Sequence, residues 1–194
     1  MSSTNRGNQR NVSDYYITPI KDIMIFLTEA IQLIPDLLDK KNLSILDPCS
    51  GGDIQHKMSY PEALVQKGVN SNVITTIDLR DDSRADIKGD YLKIPKNKKM
   101  FNLIITNPPF ALALPIIKKA LDEVESKGYV IMLLRLNFFG SQLRFPFWQK
   151  NMPKYTFVHH KRISFFGGTT DSIEYMHVIW QKDTKTSYTQ LKII

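Results

Sequence analysis

The amino-acid sequence predicts an α/β domain with a mostly parallel sheet, helices on both faces and an antiparallel strand pair at its end. Short apolar or β-branched runs alternate with segments of helical spacing, the order that a parallel sheet requires. Three of the runs end at a polar residue, namely Asp47, Asp78 and Asn107. The 194 residues are 42% hydrophobic, which is enough for one well-buried core.

The first residues are polar and then give way to an amphipathic helix. Residues 1–13 carry Arg6 and Arg10 but no apolar run, so they predict a disordered tail and neither a signal peptide nor a membrane anchor. We therefore expect a soluble, cytoplasmic protein. Thr18 as N-cap and Pro19 at the first helical position predict the start of a helix. Apolar residues at helical spacing follow at Ile23, Phe26, Leu27, Ala30, Ile31 and Ile34.

Two strands follow, and each ends at an acidic residue. Residues 43–46 form a short apolar run that stops at Asp47, and residues 48–53 read Pro-Cys-Ser-Gly-Gly-Asp. This order predicts a buried strand that enters a glycine turn. Residues 72–77 are rich in β-branched side chains and are followed by Asp78, so they predict a second strand.

The rest of the chain predicts the remainder of the sheet. The next predicted elements are a helix over about 61–67, a strand over 101–106, a helix over 112–124 and a strand over 129–134. Strands over 155–166 and 173–181, joined through the Gly-Gly pair at 167–168, predict an antiparallel pair. The domain is therefore predicted to span 14–182, with 183–194 as a short C-terminal tail.

The polar residues at the strand ends predict a binding site. Ligands of open parallel sheets bind outside the carboxyl ends of the strands. Asp47, Asp78 and Asn107 all fall at that edge. The distinctive residues of the sequence thus lie where a sheet of this class binds its ligand.

The most distinctive motif is Asn-Pro-Pro-Phe at residues 107–110, directly after a predicted strand. An amino group conjugated to a ring is a poor nucleophile, because its lone pair is delocalised, and it needs acceptors that let its nitrogen become tetrahedral. The Asn107 oxygen and the Pro108 carbonyl suit its two hydrogens, while Pro108 and Pro109 fix the backbone. Phe110 is suited to stack on the ring. The alternative is a rigid turn with Phe110 in the core.

A second set of residues suits a nucleoside cofactor. The glycines of the first turn let the backbone approach the methionine moiety of such a cofactor closely. The candidate contacts in this turn are Asp47, Pro48, Cys49 and Gly51. Asp78 suits both ribose hydroxyls, as acidic residues do in dinucleotide folds, and Asp90 has a spacing suited to the adenine. The alternatives are a plain strand-to-helix turn, a turn residue at a strand end and a solvated loop.

In this order the motifs resemble those of class I S-adenosylmethionine-dependent amino-methyltransferases, in particular small bacterial or phage-type DNA adenine N6-methyltransferases. The resemblance covers about residues 14–182. It implies a Rossmann-like class I methyltransferase fold, S-adenosylmethionine as cofactor, and direct methyl transfer from the sulfonium to the amino nitrogen without a covalent enzyme intermediate. Residues 15–19, Tyr-Tyr-Ile-Thr-Pro, resemble the family's N-terminal cofactor motif, which adds Tyr16 and Thr18 to the candidate site.

The resemblance also assigns roles within the site, and the sequence departs from it in two places. The first turn is similar to the glycine motif, Asp78 to the ribose-binding acid, Asp90 to the contact with the cofactor adenine, and residues 107–110 to the catalytic motif. The glycine motif usually has a further glycine two residues after its first, where this sequence has Asp53. Family members with this motif order also commonly carry a sizeable target-recognition domain, whereas this sequence ends soon after its last predicted strand.

Basic and aromatic residues predict contact with a nucleic acid. The 26 Lys and Arg against 19 Asp and Glu give a net charge of +7 and a pI near 9.4, which favours a polyanionic partner. Residues 136–155, with Arg135 just upstream, interleave aromatics with basic groups such as Arg144 and Lys150, a pattern that suits phosphate contact and base stacking. Phe165 is the candidate to pack against an extruded base. The alternatives are an aromatic lid with a solvated cationic face, and core packing of Phe165.

Other chemistries are not indicated. Cys49 is the single cysteine, so no intramolecular disulfide can form, as suits a reducing compartment. His159, His160 and His177 lack the spacing of a metal site, and neither a phosphate-loop lysine motif nor a nucleophile elbow is present. We therefore expect methyl transfer to adenine in DNA, with RNA less favoured. An RNA or glutamine methyltransferase and a catalytically idle accessory or inhibitor protein are the alternatives, and the oligomeric state is left open.

Overall fold

Most of the predicted elements lie in the part of the chain that the structure describes. The structure is a computed structural model and describes residues 16–39, 41–96, 100–165 and 172–194. The predicted tail at 1–13, the start of the predicted domain at 14 and the Gly-Gly link at 167–168 lie outside these ranges.

Eight strands of the described chain form one mixed sheet. They are β1 (Ile45–Asp47), β2 (Ile74–Asp78), β3 (Ile87–Lys88), β4 (Phe101–Thr106), β5 (Val124–Arg135), β6 (Tyr155–Val158), β7 (Tyr175–Gln181) and β8 (Gln190–Ile193). Their order across the sheet is β3-β2-β1-β4-β5-β7-β6-β8. The first five in this order are parallel, and β7 runs antiparallel to both β5 and β6. The predicted sheet, mostly parallel with an antiparallel pair after it, is confirmed.

Four described helices cover the two faces of the sheet. They are α1 (Ile20–Leu33), α2 (Ser59–Gln66), α3 (Ala113–Glu123) and α4 (Phe145–Lys150). One core joins α1 and α2 to Leu103 and Ile131 of the sheet, and the other joins α3 and α4 to Ile104 and Val130. Because successive residues of β4 face opposite cores, the whole strand is buried and its sequence shows no alternation. The longest of these helices has 14 residues, whereas a bilayer span takes about 20 apolar ones.

The segment after β5 folds over the second core. A helical turn at Leu136–Phe139 leads to α4, which buries Phe147 and Trp148. Trp148 stacks on Trp180 of β7, with the ring planes 5° apart and the centroids at 6.3 Å. The Trp180 indole N–H donates to the Asn151 carbonyl at 2.9 Å. These aromatic side chains hold the segment against the sheet, as in the alternative of an aromatic lid.

The start of α1 differs from the prediction. Pro19 caps this helix in an extended conformation, and its carbonyl accepts the backbone N–H of Asp22 at 3.0 Å. Thr18 is buried and its hydroxyl accepts the Asn107 Nδ2–H at 3.1 Å. The prediction of Thr18 as N-cap is therefore wrong, because a long-range contact uses the hydroxyl that a local cap requires.

The last residues also differ from the prediction. Residues 183–194 are predicted as a tail, but part of them forms β8, which pairs in parallel with β6. All four residues of β8 are exposed, including Leu191 and Ile193, so the strand has no pattern of buried and exposed positions to predict it. In addition, β6 ends at Val158, well before the end of the strand predicted over 155–166.

Candidate active site

The carboxyl ends of β1, β2 and β4 open into a cleft, at the edge where sheets of this class bind their ligands. The loops after these strands line it together with residues 16–18. The predicted residues in its lining are Tyr16, Thr18, Pro48, Cys49, Gly51, Asp78, Asp90, Asn107, Pro108, Pro109 and Phe110. The fold thus brings most of the predicted cofactor and catalytic residues together.

The glycine turn after β1 has a backbone that only glycines adopt without strain. Gly51 and Gly52 have φ values of +65° and +74°. A Cβ on Gly52 would meet the Cγ of Met58 at 2.8 Å and the Met58 backbone nitrogen at 3.2 Å. The Gly51 N–H donates to Asp78 Oδ2 at 2.7 Å, which ties this turn to the end of β2. The turn therefore packs closely against Met58 and is hydrogen-bonded to the end of β2.

Asp53, the departure from the glycine motif, has a role outside the cleft. Its backbone is not left-handed, in contrast to Gly51 and Gly52. Its Oδ1 accepts the backbone N–H groups of Gln55 and His56, each at 2.8 Å, and lies 2.9 Å from His56 Nδ1. Asp53 therefore caps the next turn, and the two glycines before it supply the conformational freedom that the motif requires.

Asp78 is held at the end of β2 by two loops. Its Oδ2 accepts the Gly51 N–H, and its Oδ1 accepts the Arg80 backbone N–H at 2.9 Å. The Arg80 guanidinium lies 3.4 Å from Oδ1 and donates to the Gly52 carbonyl at 2.6 Å. Each carboxylate oxygen has two acceptor positions, so Asp78 retains capacity for ligand hydroxyls. Arg80 also lines the cleft, and nothing in the sequence pattern singled it out.

Asp47 is fully buried outside the lining of the cleft. Burial raises its pKa to about 7, and the negative charge of Asp78 adds to the increase. Its Oδ1 accepts the Cys49 backbone N–H at 3.3 Å, which holds the start of the glycine turn. Burial and the nearby carboxylates also raise the pKa of the Cys49 thiol well above its ordinary value, so this cysteine stays protonated. Asp47 thus lies where it supports the turn.

Asp90 lies in the loop after β3, beside the end of β2. Its Oδ1 accepts the Leu92 backbone N–H at 3.0 Å, and its Oδ2 lies 3.6 Å from the Lys93 ammonium. The Gly89 N–H donates to the Asp78 carbonyl at 2.9 Å. This bond brings the two acidic residues into the lining of the same cleft.

Asn107 lies at the end of β4 with one half of its amide engaged. Its Nδ2 donates to the Thr18 hydroxyl at 3.1 Å. Its Oδ1 is buried and accepts no hydrogen bond from the described residues. A buried carbonyl oxygen without a donor is costly, by about 1–3 kcal/mol, so the site is suited to a ligand that brings an N–H group.

Phe110 belongs to a small aromatic cluster. Its ring lies 6.5 Å from that of Tyr16 and 5.6 Å from that of Tyr175, and the Arg135 guanidinium stacks on it at 4.4 Å. Phe165 packs edge-on against Tyr16 and Tyr175, with centroids at 5.8 and 4.9 Å. Phe165 is buried and lies outside the lining of the cleft, which corresponds to the core-packing alternative.

Neither Arg144 nor Lys150, the two cations predicted to contact substrate, lines the cleft. The Arg144 side chain donates to the Phe138 carbonyl at 2.6 Å and also to the carbonyls of Asn137 and Gly140. Lys150 is exposed at the end of α4. The guanidinium of Arg144 therefore braces the turn that precedes α4.

A buried chain of hydrogen bonds runs from the cleft into the sheet. The Tyr60 hydroxyl, in the cleft lining, lies 2.9 Å from His177 Nε2, and His177 Nδ1 lies 2.9 Å from His159 Nε2. Burial lowers the pKa of His159 to about 4 and that of His177 well below its ordinary value, so both rings are neutral. The described residues contain no cluster of three side chains suited to a metal ion.

Comparison with solved structures identifies the class of fold. A protein from Listeria monocytogenes, assigned to the class I S-adenosylmethionine-dependent methyltransferases, matches with a TM-score of 0.61 and 17% identity, over 92% of this chain and 65% of that one. A protein from Pyrococcus horikoshii, assigned as an RNA methyltransferase, matches with a TM-score of 0.63 and 13% identity, over 91% of both chains. The M protein of the type I restriction enzyme EcoKI matches with a TM-score of 0.62 and 14% identity, over 94% of this chain and 49% of that one.

The chain therefore has the Rossmann-like fold of class I methyltransferases. Restriction-enzyme modification proteins, such as that of EcoKI, are among its structural neighbours. No protein-family model matches the sequence, and neither does any curated protein sequence. The chain spans 65% of the Listeria protein and about half of the EcoKI protein.

Proposed function

We propose that this protein transfers a methyl group from S-adenosylmethionine to the exocyclic amino group of adenine in DNA. The observation that carries the proposal is the buried Asn107 Oδ1, which accepts no hydrogen bond from the described residues and belongs to the Asn-Pro-Pro-Phe motif of the cleft. An amino group that must lose its conjugation with a ring is the kind of donor that this oxygen suits.

The residues of the cleft fit the proposed cofactor. The left-handed glycine turn lines the cleft with backbone, and this backbone suits the methionine moiety. Asp78, which retains acceptor positions, would bind the ribose hydroxyls. Asp90 would contact the adenine, and Tyr16 and Thr18 would lie near the methionine carboxylate. When bound, S-adenosylmethionine supplies a methyl group on a positively charged sulfur.

The catalytic residues would act on the amino group rather than on the cofactor. Asn107 Oδ1 and the Pro108 carbonyl would each accept one of its hydrogens, so the nitrogen lone pair would leave the ring. It would then be available to form the bond to the methyl carbon while the carbon–sulfur bond breaks and the sulfur leaves as a neutral thioether. As positive charge develops on the nitrogen, these two contacts strengthen, which makes them worth more in the transition state than in the bound substrate. The surplus proton then passes to water, and no covalent bond to the enzyme forms.

Two further observations support a nucleic acid as the substrate. The net charge of +7 suits a polyanion. Restriction-enzyme modification proteins share the fold. The idle-protein alternative rests in part on Asp53, but that residue caps a turn outside the cleft and leaves the left-handed glycines in place.

The proposal is tested by following a labelled methyl group. The protein is incubated with methyl-labelled S-adenosylmethionine and, in separate reactions, unmodified DNA of varied sequence, RNA, and a release-factor-like protein. We expect label in DNA, recovered as N6-methyladenine by mass spectrometry, and none with the Asn107→Ala variant. Label confined to RNA or to the protein would reject the substrate, whereas tight cofactor binding in calorimetry with no turnover on any polymer would indicate an idle protein. Mapping methylated adenine in genomic DNA of cells that express the chain would then give the recognised site.

A further inference from the structure

Two arginines of the described chain stack on a phenylalanine in the same way but differ in their other partners. The guanidinium carbon of Arg144 lies 4.4 Å from the Phe138 ring centroid, and that of Arg135 lies 4.4 Å from the Phe110 ring centroid. Arg144 donates to three backbone carbonyls. The buried Arg135 Nε has no acceptor within the described ranges, and no described carboxylate forms an ion pair with this side chain.

Arg135 lies beside the catalytic motif because of the strand order. It is the last residue of β5, which pairs in parallel with β4, the strand that ends just before Asn107. Phe110, under the guanidinium, is the last residue of the Asn-Pro-Pro-Phe motif. Glu174 precedes Tyr175, which lies opposite Arg135, and its carboxylate is engaged by Arg162 at 3.0 Å.

An arginine with this geometry lacks an anionic partner. Stacking on an aromatic ring stabilises the cation in part, but it leaves the in-plane N–H groups without acceptors. A partly buried charge is costly unless it is paired, and the planar guanidinium suits the paired oxygens of a phosphate. Arg135 lies outside the lining of the cleft but stacks on Phe110, which belongs to it, so an anion bound by this guanidinium would lie at the catalytic-motif end of the cleft.

We propose that Arg135 binds the backbone phosphate next to the target nucleotide, and that this contact selects polynucleotides over glutamine-bearing proteins. The inference rests on the proposed function, because it takes the target base to lie at Asn107. A base that is extruded from a duplex rotates about its own backbone, so the adjacent phosphate arrives at the site with it. A glutamine side chain brings no such anion.

The test compares Arg135→Gln with the matched variant Arg144→Gln. DNA binding is measured by fluorescence anisotropy over a range of salt concentrations, on an oligonucleotide that carries the mapped methylation site. Arg135→Gln should lower the slope of log affinity against log salt by about one unit and raise the KM for DNA about 10- to 100-fold, with cofactor affinity unchanged and no fall in melting temperature. Arg144→Gln should leave the slope as it is in the parent protein.

A neutral phosphate analogue identifies the contact directly. A methylphosphonate placed at the phosphate 5′ or 3′ to the target adenine should weaken binding to the parent protein about tenfold or more at one of the two positions. The same oligonucleotide should cause no further loss with Arg135→Gln, because the contact is already absent. Additive losses, an unchanged salt slope or a fall in cofactor affinity would each overturn the assignment of Arg135 to a phosphate.

If the parent protein methylates only protein, the proposed function fails first and this inference with it. If DNA is methylated and Arg135→Gln behaves as the parent, this inference alone fails.

Discussion

The two halves of the cleft differ in how their polar groups are satisfied. In the half formed by the loops after β1 and β2, Asp78 accepts the Gly51 N–H, and Arg80 donates to the Gly52 carbonyl. In the half formed at the end of β4, Asn107 Oδ1 lacks a partner in the described part of the chain, and so does Arg135 Nε just outside the cleft lining. Hydrogen bonds thus join the two loops of the first half to each other, whereas the Asn107 amide oxygen of the second half has no partner among the described residues.

This difference indicates which half of the cleft gains more free energy when a ligand binds. A satisfied loop is already in the conformation that a cofactor requires, so little ordering accompanies binding. An unsatisfied buried group costs about 1–3 kcal/mol in the free protein and recovers that cost only when a ligand supplies its partner. We therefore expect the loss of the Asn107 amide to affect turnover, and changes in the first half to affect affinity or folding.

The largest effect is expected at Asn107. Asn107→Ala should lower kcat by about 10²–10³, because loss of one preorganised group in a transition state has this consequence, and should leave the melting temperature nearly unchanged. The matched control is Asn102→Ala on the same strand. Asn102 Oδ1 accepts the Ser44 N–H at 2.7 Å in the core, so its loss should reduce stability without a specific fall in kcat. A folded Asn107→Ala protein with near-normal turnover would contradict the proposed mechanism.

A smaller effect is expected at Asp78. Asp78→Ala should weaken cofactor binding by about 1–3 kcal/mol, since hydrogen bonds to a charged acceptor are lost and the Gly51 turn is released. Isothermal titration calorimetry measures the change. Asp53→Ala serves as the control, because Asp53 lies outside the cleft lining and its loss should alter cofactor affinity less. Equal losses in both variants would mean that turn stability, and not ligand contact, sets the affinity.

Two left-handed glycines allow the cost of backbone strain alone to be compared with the cost of backbone strain together with steric crowding. Gly52 and Gly68 are both left-handed, at φ +74° and +89°, but a Cβ would be crowded only at Gly52. Gly68→Ala should cost about 1–2 kcal/mol of stability from backbone strain, and Gly52→Ala about 1 kcal/mol more from contact with Met58. Chemical denaturation gives both values. Equal costs would show that Met58 moves aside freely.

The smallest effect is expected in the pH dependence of stability. The pKa of Asp47 is raised to about 7. Its contribution to the free energy of unfolding is therefore present at low pH and lost as the pH rises through 7. The pKa values of His159 and His177 are lowered, so their contribution is lost as pH falls below the unfolded value near 6.5. Between pH 7 and 6 the two histidines therefore lower the free energy of unfolding while Asp47 raises it, so the two effects oppose each other.

Removing one of these opposing contributions makes the other visible. With Asp47→Asn, the free energy of unfolding should fall by about 1 kcal/mol more between pH 7 and 6 than it does in the parent protein. Denaturant titrations at the two pH values measure this difference. The same pH dependence in both proteins would mean that Asp47 is ionised throughout this range.

Several features of the fold and the cleft were predictable because they follow from short stretches of sequence. β4 has the bounds predicted for it, Phe101–Thr106, since a strand buried on both faces is a continuous run ended by a turn. Asp78 and Asn107 were found because each directly follows such a run. Their meeting in one cleft follows from the parallel order of the strands.

Other features depend on contacts between distant parts of the chain. β8 is exposed along its length, so no hydrophobic period marks it. Arg135 and Arg144 occur in similar basic and aromatic surroundings in the sequence, and only the folded chain distinguishes the braced guanidinium from the unpaired one. Tyr60 and His177 are 117 residues apart, and a local pattern cannot indicate their hydrogen bond.

The stack of Trp148 on Trp180 makes α4 observable by spectroscopy. These are the two tryptophans of the chain, and their indole planes lie 5° apart at 6.3 Å. Two chromophores this close couple their electronic transitions, so near-ultraviolet circular dichroism and tryptophan emission both depend on the seating of α4 against β7. Displacement of this helix by a nucleic acid would change these signals, and the unmodified protein would report it without a dye.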